Sequence, residues 1–272
     1  MTRLIQIENG DIRKVGLVDE PHIRLLAEYA TVYDMANAAI KAQTRLPALV
    51  HRLVTDETLS YDELYHGKSE WRILPAVDHP QEPARCLVTG TGLTHMASAK
   101  NRNAMHAGTE AITDSMKMFQ WGIESGRPQT GKIGAAPEWF YKGCGDILRA
   151  HGEALLVPSY AEDGGEEPEV AGIYLIGHDA QPYRVGFAVG NEFSDHKFEK
   201  RNYLYLAGSK LRTCAIGPEL ALDHEFKSVS GTVTIERDGA VLWTQQIKTG
   251  EEEMCHSLSN IEHHHFKFAG HR

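Results

Sequence analysis

The 272-residue sequence predicts an α+β fold, a small mixed N-terminal part followed by a β-rich sandwich or roll. Three observations predict it. Apolar residues recur at helical spacing over Val32–Ile40, following a stretch that alternates as a strand. Pro75, Pro80 and Pro83 then punctuate the chain and read as a linker. Beyond them come short apolar stretches bounded by Gly, Pro and Asp, the pattern of a sandwich or roll. The domain boundary is placed at that linker, giving a small α+β domain over 1–80 and a β-rich domain over 81–272.

Taken in order, Leu4 and Ile5 begin the first strand, and Asn9-Gly10-Asp11 turns it into Val15–Val18. Ser60-x-x-Glu63 has the form of a capping box opening a short helix that ends near Gly67. Past the linker, Ala154–Val157, Val170–Ile176 and Tyr183–Val189 read as strands. Thr232–Ile235 and Val241–Ile247 flank Asp238-Gly239; both turn residues tolerate positive φ, so a hairpin is predicted. Met116–Glu124 and Met254–Phe268 read as helices.

Composition narrows the functional classes. Hydrophobic residues make up 42% and charged residues 24%, as in ordinary globular chains. No apolar run reaches the roughly 20 residues of a membrane span, and the first residues lack signal-peptide architecture. With a net charge of −9 and no basic stripe, neither nucleic acid nor a membrane is an expected partner. Cys86, Cys144, Cys214 and Cys255 are widely spaced, so a reducing cytoplasm is the expected compartment. An acidic surface repels anionic substrates, so a site for one needs local positive charge from a cation or lysines.

The chemistry concentrates in one stretch. Glu167 and Glu169 stand two apart at the mouth of a strand, and period-two geometry aims both at one face. Two facing carboxylates repel unless protonated or bridged by a cation, which is how a hard-metal site is built. The plainer alternative is a solvated acidic loop continuing Glu162-Asp163. Another carboxylate, Glu192, follows the next apolar strand in Asn191-Glu192-Phe193-Ser194, and Lys210 to Pro218 follows in turn.

Here the sequence resembles the fumarylacetoacetate hydrolase superfamily, the 2-keto-3-deoxy sugar-acid branch in particular. Glu167 and Glu169 match its E-x-E. Asn191-Glu192-Phe193-Ser194 matches its N-D-x-S with Glu in place of Asp. Lys210, Thr213, Gly217 and Pro218 match its K-S-x-x-T-x-x-x-G-P, with Leu211 where Ser is usual. Cys86 to His95 resembles the stretch ending in the family histidine, and Trp139 to Gly143 its F-x-K segment.

The resemblance implies Mg²⁺ or Mn²⁺ held by Glu167, Glu169 and Glu192, with Lys210, Thr213 and Asn191 contacting substrate. Lys210, Lys142 and His95 become the candidate catalytic residues. It implies a cytoplasmic homodimer acting on a small 2-oxo acid, with the metal stabilising an enolate formed as C3 loses a proton. It also implies further strands after Arg272, so the chain is expected to be shorter than the family at its C-terminus. Hydrolytic members carry H-x-x-E, the Glu orienting the His that activates water; here Ser98 takes that place after His95. Dehydration of a 2-keto-3-deoxypentonate is therefore favoured. C–C hydrolysis of a 2,4-dioxo acid is the first alternative, and metal-dependent sugar-acid binding without turnover the second.

Other features read as structural. Consecutive residues of a helix point about 100° apart, so His263, His264 and His265 cannot converge on one ion. Gly90-Thr91-Gly92 lacks the last glycine of a dinucleotide fingerprint, and Glu251–Glu253 reads as a solvated helix start.

Overall fold

The structure is a computed structural model that describes residues 1–100 and 113–268. Its strands are β1 (Arg3–Asn9), β2 (Ile12–Asp19), β3 (His22–Leu26), β4 (Val54–Ser60), β5 (Arg72–Ile73), β6 (Leu87–Gly90) and β7 (Phe140–Cys144). They continue as β8 (Leu148–Arg149), β9 (Pro168–Ile176), β10 (Pro182–Asn191), β11 (Cys214–Ile216), β12 (Leu220–Ala221), β13 (Val229–Arg237) and β14 (Ala240–Thr249). The helices used below are α1 (Val32–Lys41), α2 (Leu46–Leu53), α3 (Tyr61–Tyr65), α4 (Asp114–Ser125), α5 (His196–Arg201), α6 (Leu206–Lys210) and α7 (Leu258–Phe266). None of the described helices is long and apolar enough to cross a membrane.

By contact the chain forms two units. One comprises Met1–Val88 and Tyr141–His224; the other comprises the described residues of Thr89–Phe140 and Glu225–His271. This partition differs from a linear split at residue 80, because β1 pairs with β12 and the first strands share a sheet with the later ones.

The first unit is an α+β structure around a ten-stranded mixed sheet, ordered β4-β3-β2-β1-β12-β10-β11-β8, with β5 beside β1 and β9 beside β10. Alternation in β1 explains its central place. Leu4 faces one side with Val15, Leu17 and the helical Val32, Met35 and Val50. Ile5 and Ile7 face the other with Val18, Ile23 and Leu64. Each such side chain removed fully from water contributes roughly 1.5–3 kcal/mol. Gln6 falls on the first face yet is wholly buried, and its amide is satisfied: it accepts from the Val32 amide at 2.7 Å and donates to the Pro75 carbonyl at 2.8 Å. That pair of bonds ties the start of α1, which Thr31 also caps, to the segment after β5. The capping box at Ser60 forms as expected, its hydroxyl accepting from the Glu63 amide at the start of α3.

Ala154–Val157, expected as a strand, is irregular. Gly152, at φ 81°, turns the chain just before it, and the Leu156 amide donates to the Thr213 hydroxyl instead of a ladder carbonyl.

The second unit holds the predicted hairpin, β13 and β14, with Asp238 and Gly239 at φ 51° and 78°. Leu93, Ala99, Phe119 and Cys255 form its small core. A Cβ on Gly122 of α4 would lie 2.6 Å from the Cys255 sulfur and 2.7 Å from His256 Nε2, so glycine permits that close approach. The helix expected over Met254–Phe268 is confined to α7, because Ser257 caps it and the Glu251 carboxylate accepts the Leu258 amide at 2.7 Å. Glu251–Glu253 is accordingly a turn and not a helix start. His264 Nε2 donates to the Gly134 carbonyl, and His265 Nδ1 accepts from the Trp139 indole, each at 3.0 Å.

Candidate active site

The first unit brings three carboxylates together at one end of the β9–β10 hairpin. In that antiparallel pair Glu169 lies opposite Gly190 and Pro168 opposite Asn191. Glu167 and Glu169 therefore enter β9 where Glu192 leaves β10. The Glu192 amide donates to the Glu167 carbonyl at 2.8 Å, and Gly165 and Ser194 exchange two further backbone bonds of 2.9 Å each. One carboxylate oxygen from each of Glu167, Glu169 and Glu192 lies within 4.8 Å of the other two. The Asn191 side-chain oxygen accepts from the Glu167 amide at 3.1 Å, which fixes where that glutamate begins.

Lys210, at the end of α6, is almost wholly buried. Its ammonium lies 2.8 and 2.7 Å from the two Glu167 oxygens and 3.1 Å from Glu192 Oε1. Burial disfavours its charge, yet the two glutamates more than compensate and raise its pKa above the ordinary lysine value. It is a cation. Lys142, on β7, is equally buried and donates to the carbonyls of Phe193 at 2.7 Å and Lys210 at 2.8 Å. With only neutral partners so close, desolvation lowers its pKa. Thr213 uses its hydroxyl on the Leu156 amide.

The three carboxylates are unequal. Desolvation opposes ionisation of Glu167, but the His196 hydrogen bond and the Lys210 charge outweigh it and hold the group down at about 2. Desolvation pushes Glu192 up to about 7, with Glu167 repelling its charge and Lys210 only partly offsetting this. Glu169 keeps solvent access along its side chain. Packing around its carboxyl, then the charges of Glu192 and Glu167, nevertheless raise its pKa.

Two residues at the site were not singled out by sequence reasoning. His196 Nε2 lies 2.8 Å from Glu167 Oε1, and that hydrogen bond raises the pKa of the imidazole. Arg212 is buried, donating to the carbonyls of Asp163 at 2.8 Å and Ser194 at 3.1 Å and pairing with Asp195 at 3.1 Å. Asp195 in turn caps α5 through the Phe198 amide. The polar run after Asn191 was the available signal for His196. Nothing in the sequence separates Arg212 from a surface arginine.

His95 belongs to the second unit. Its Nδ1 lies 3.0 Å from the Thr94 hydroxyl and its Nε2 3.0 Å from the Thr249 hydroxyl, and burial lowers its pKa.

Fold and cluster together define a mixed-sheet protein with an oxygen-rich acidic site backed by buried lysines. No family model matches the chain. Over 120 residues it is 32% identical to 2-dehydro-3-deoxy-D-arabinonate dehydratase of Saccharolobus solfataricus, a stretch covering 42% of this chain and 39% of that protein. It is 33% identical over 120 residues to a Haloferax volcanii protein named "Probable 2-keto-3-deoxyxylonate dehydratase", covering 42% of this chain and 40% of the relative. The match thus spans about two fifths of the curated relatives' length. A solved 2-keto-3-deoxy-D-arabinonate dehydratase, complexed with magnesium and 2,5-dioxopentanoate, matches with a TM-score of 0.66 at 19% identity. That comparison covers 96% of this chain and 81% of the other, and it shows that the two share a fold.

Proposed function

We propose that this chain is a member of the fumarylacetoacetate hydrolase superfamily and a divalent-metal-dependent dehydratase of a 2-keto-3-deoxypentonate. The observation that carries the reading is the convergence of Glu167, Glu169 and Glu192 on one point, with Lys210 beside them. Identity over 120 residues with each of two sugar-acid dehydratases, and a fold shared with a solved 2-keto-3-deoxy-D-arabinonate dehydratase, support it.

The residues fit a hard cation. All three donors are carboxylates, the ligand type that suits Mg²⁺ or Mn²⁺. Among the described residues Glu192 Oε1 is buried without a hydrogen bond, held by the charges of Lys210 at 3.1 Å and of Lys142. Among the described residues the Glu169 carboxylate has no hydrogen bond or ion pair. When bound by these three glutamates, the cation would supply Lewis acidity at the 2-oxo group and offset the acidic site's repulsion of an anionic substrate.

The remaining work falls to the chain's own groups. Dehydration requires a proton taken from C3 and a proton given to the departing C4 hydroxyl; loss of water and tautomerisation then yield 2,5-dioxopentanoate. Lys210, whose ammonium already faces the cluster, is placed to bind substrate oxygens and to pass a proton. Lys142 would have to leave two carbonyls before acting as a base, so its role is to hold the Phe193 and Lys210 segments together. Asn191 acts through the Glu167 amide and Thr213 through the Leu156 amide. Among the described residues His95 hydrogen-bonds to the Thr94 and Thr249 hydroxyls and to no carboxylate, which supports dehydration over a hydrolysis needing an imidazole base oriented by a carboxylate.

The test is a panel of 2-keto-3-deoxy sugar acids with Mg²⁺, coupled to an aldehyde dehydrogenase that detects 2,5-dioxopentanoate. Release of pyruvate from a 2,4-dioxo acid, with the 2-keto-3-deoxy acids untouched, would establish the hydrolase instead. Binding of Mg²⁺ and a sugar acid with no turnover of either substrate class would establish a binding protein.

A further inference from the structure

We infer that His196 is a positioning residue that fixes Glu167 for the cation, and that glycine at position 165 is what admits its imidazole. The inference rests on the metal reading above but concerns residues that reading does not use.

Glu167 is the cluster member with the most hydrogen bonds. Its Oε1 accepts from His196 Nε2 at 2.8 Å and from Lys210 at 2.8 Å, while Oε2 accepts from Lys210 at 2.7 Å. Lys210 touches both oxygens and so leaves the carboxylate free to rock about it. The imidazole touches one oxygen from another direction, and two donors on separate elements define the carboxylate plane. Outer partners of this kind usually set the orientation of a metal-binding carboxylate. His196 is itself fixed at the first turn of α5, which Asp195 caps and Arg212 anchors.

Room for the ring comes from Gly165. A Cβ there would sit 2.3 Å from His196 Nδ1 and 2.4 Å from Cε1, closer than any side chain tolerates. The backbone cannot back away, because Gly165 and Ser194 exchange hydrogen bonds of 2.9 Å in both directions. Nor is the obstruction a flexible chain end: the imidazole is rigid, and swinging it aside breaks its bond to Glu167. Gly165 does not occupy the left-handed region of backbone space, so alanine meets a steric conflict there and no conformational one.

Two substitutions should therefore produce one defect. By calorimetry with Mn²⁺, and in parallel with Mg²⁺, His196→Ala should weaken binding about 10–100-fold, the range for outer partners of a metal ligand. Gly165→Ala should match it within about 3-fold. The double variant should be no worse than either single one, because the bond can be lost only once. His196→Gln, whose amide can still donate to Glu167, should recover most of the affinity. Urea midpoints measured without metal separate a folding defect from a binding defect.

If the unaltered protein binds neither ion, the metal reading itself falls. If it binds them and His196→Ala binds equally well, the positioning role is overturned while the metal reading stands. Losses that simply add in the double variant overturn the claim that Gly165 acts through His196. A His196→Gln variant as weak as His196→Ala overturns the hydrogen bond as the cause.

Discussion

Replacing Lys210 with methionine removes the one ammonium that touches both Glu167 and Glu192 while keeping a side chain of similar length. The lysine side chain is 2% exposed, and those of Glu167 and Glu192 are 22% and 15% exposed, so solvent screens these contacts poorly. Breaking a buried ion pair by removing one partner costs about 3–5 kcal/mol, because the stranded charge stays desolvated. His196 still serves Glu167 in the variant, whereas Glu192 is left with the charge of Lys142. Above pH 7, where Glu192 is ionised, the metal-free variant should therefore lose about 3–5 kcal/mol, mostly through Glu192. A divalent cation would replace the missing charge. At 100 times its dissociation constant it adds about 2.7 kcal/mol to any folded state that binds it. Urea titrations of both proteins, with and without Mg²⁺ and at constant m, measure the two terms. Mg²⁺ should bind the variant more tightly than the unaltered protein, since no ammonium competes for the carboxylates, and turnover should vanish. A metal-free loss below about 1 kcal/mol would refute the argument, as would Mg²⁺ that stabilises the variant less than its parent.

The other predictions concern charge, pH and the support beneath the site. Glu167→Gln and Glu169→Gln should each abolish Mg²⁺ or Mn²⁺ binding in a calorimeter, and Glu192→Asp should be milder than Glu192→Gln because it keeps the charge and shortens only the reach. Glu192 is raised from 4.5 to about 7, so the folded metal-free protein holds its proton more tightly than the unfolded chain. Its contribution favours folding at low pH and is lost as pH rises from 4.5 to about 7, and urea midpoints across that window should show the decline. Glu167, depressed from 4.5 to about 2, contributes the opposite way: its stabilisation is present above 4.5 and disappears as pH falls to about 2. Mg²⁺ must displace the Glu192 proton, so calorimetry near pH 6 in buffers of different ionisation enthalpy should reveal proton release. Arg212→Met should cost about 3–5 kcal/mol by stranding buried Asp195, and the same urea titration checks it.

The local rules of the sequence determined a good deal. Alternation and turn chemistry specified the β1–β2 and β13–β14 hairpins, because Gly10, Asp238 and Gly239 supply the positive φ those turns need. Helical spacing specified α1 and α4, and the Ser60 box specified α3. Period two put Glu167 and Glu169 on one face, a purely local consequence of strand geometry. Ala154–Val157 misled because four apolar residues suit a strand equally well whether or not a partner is present.

Only the tertiary structure decided the rest. The pairing register of β9 with β10 delivers Glu192 to the other two carboxylates, and no spacing along the chain states that register. The sequence offered Lys210 and Lys142 as candidate catalytic residues, but their near-complete burial belongs to the fold, because desolvation depends on everything packed around them. The division of the chain into two units, each built from separated stretches, likewise follows from β1 pairing with β12. Arg212, and the bond from His196 to Glu167, became legible only once Gly165, Ser194 and Asp195 were placed beside them, since a hydrogen bond across 29 residues is a property of the fold and not of the sequence.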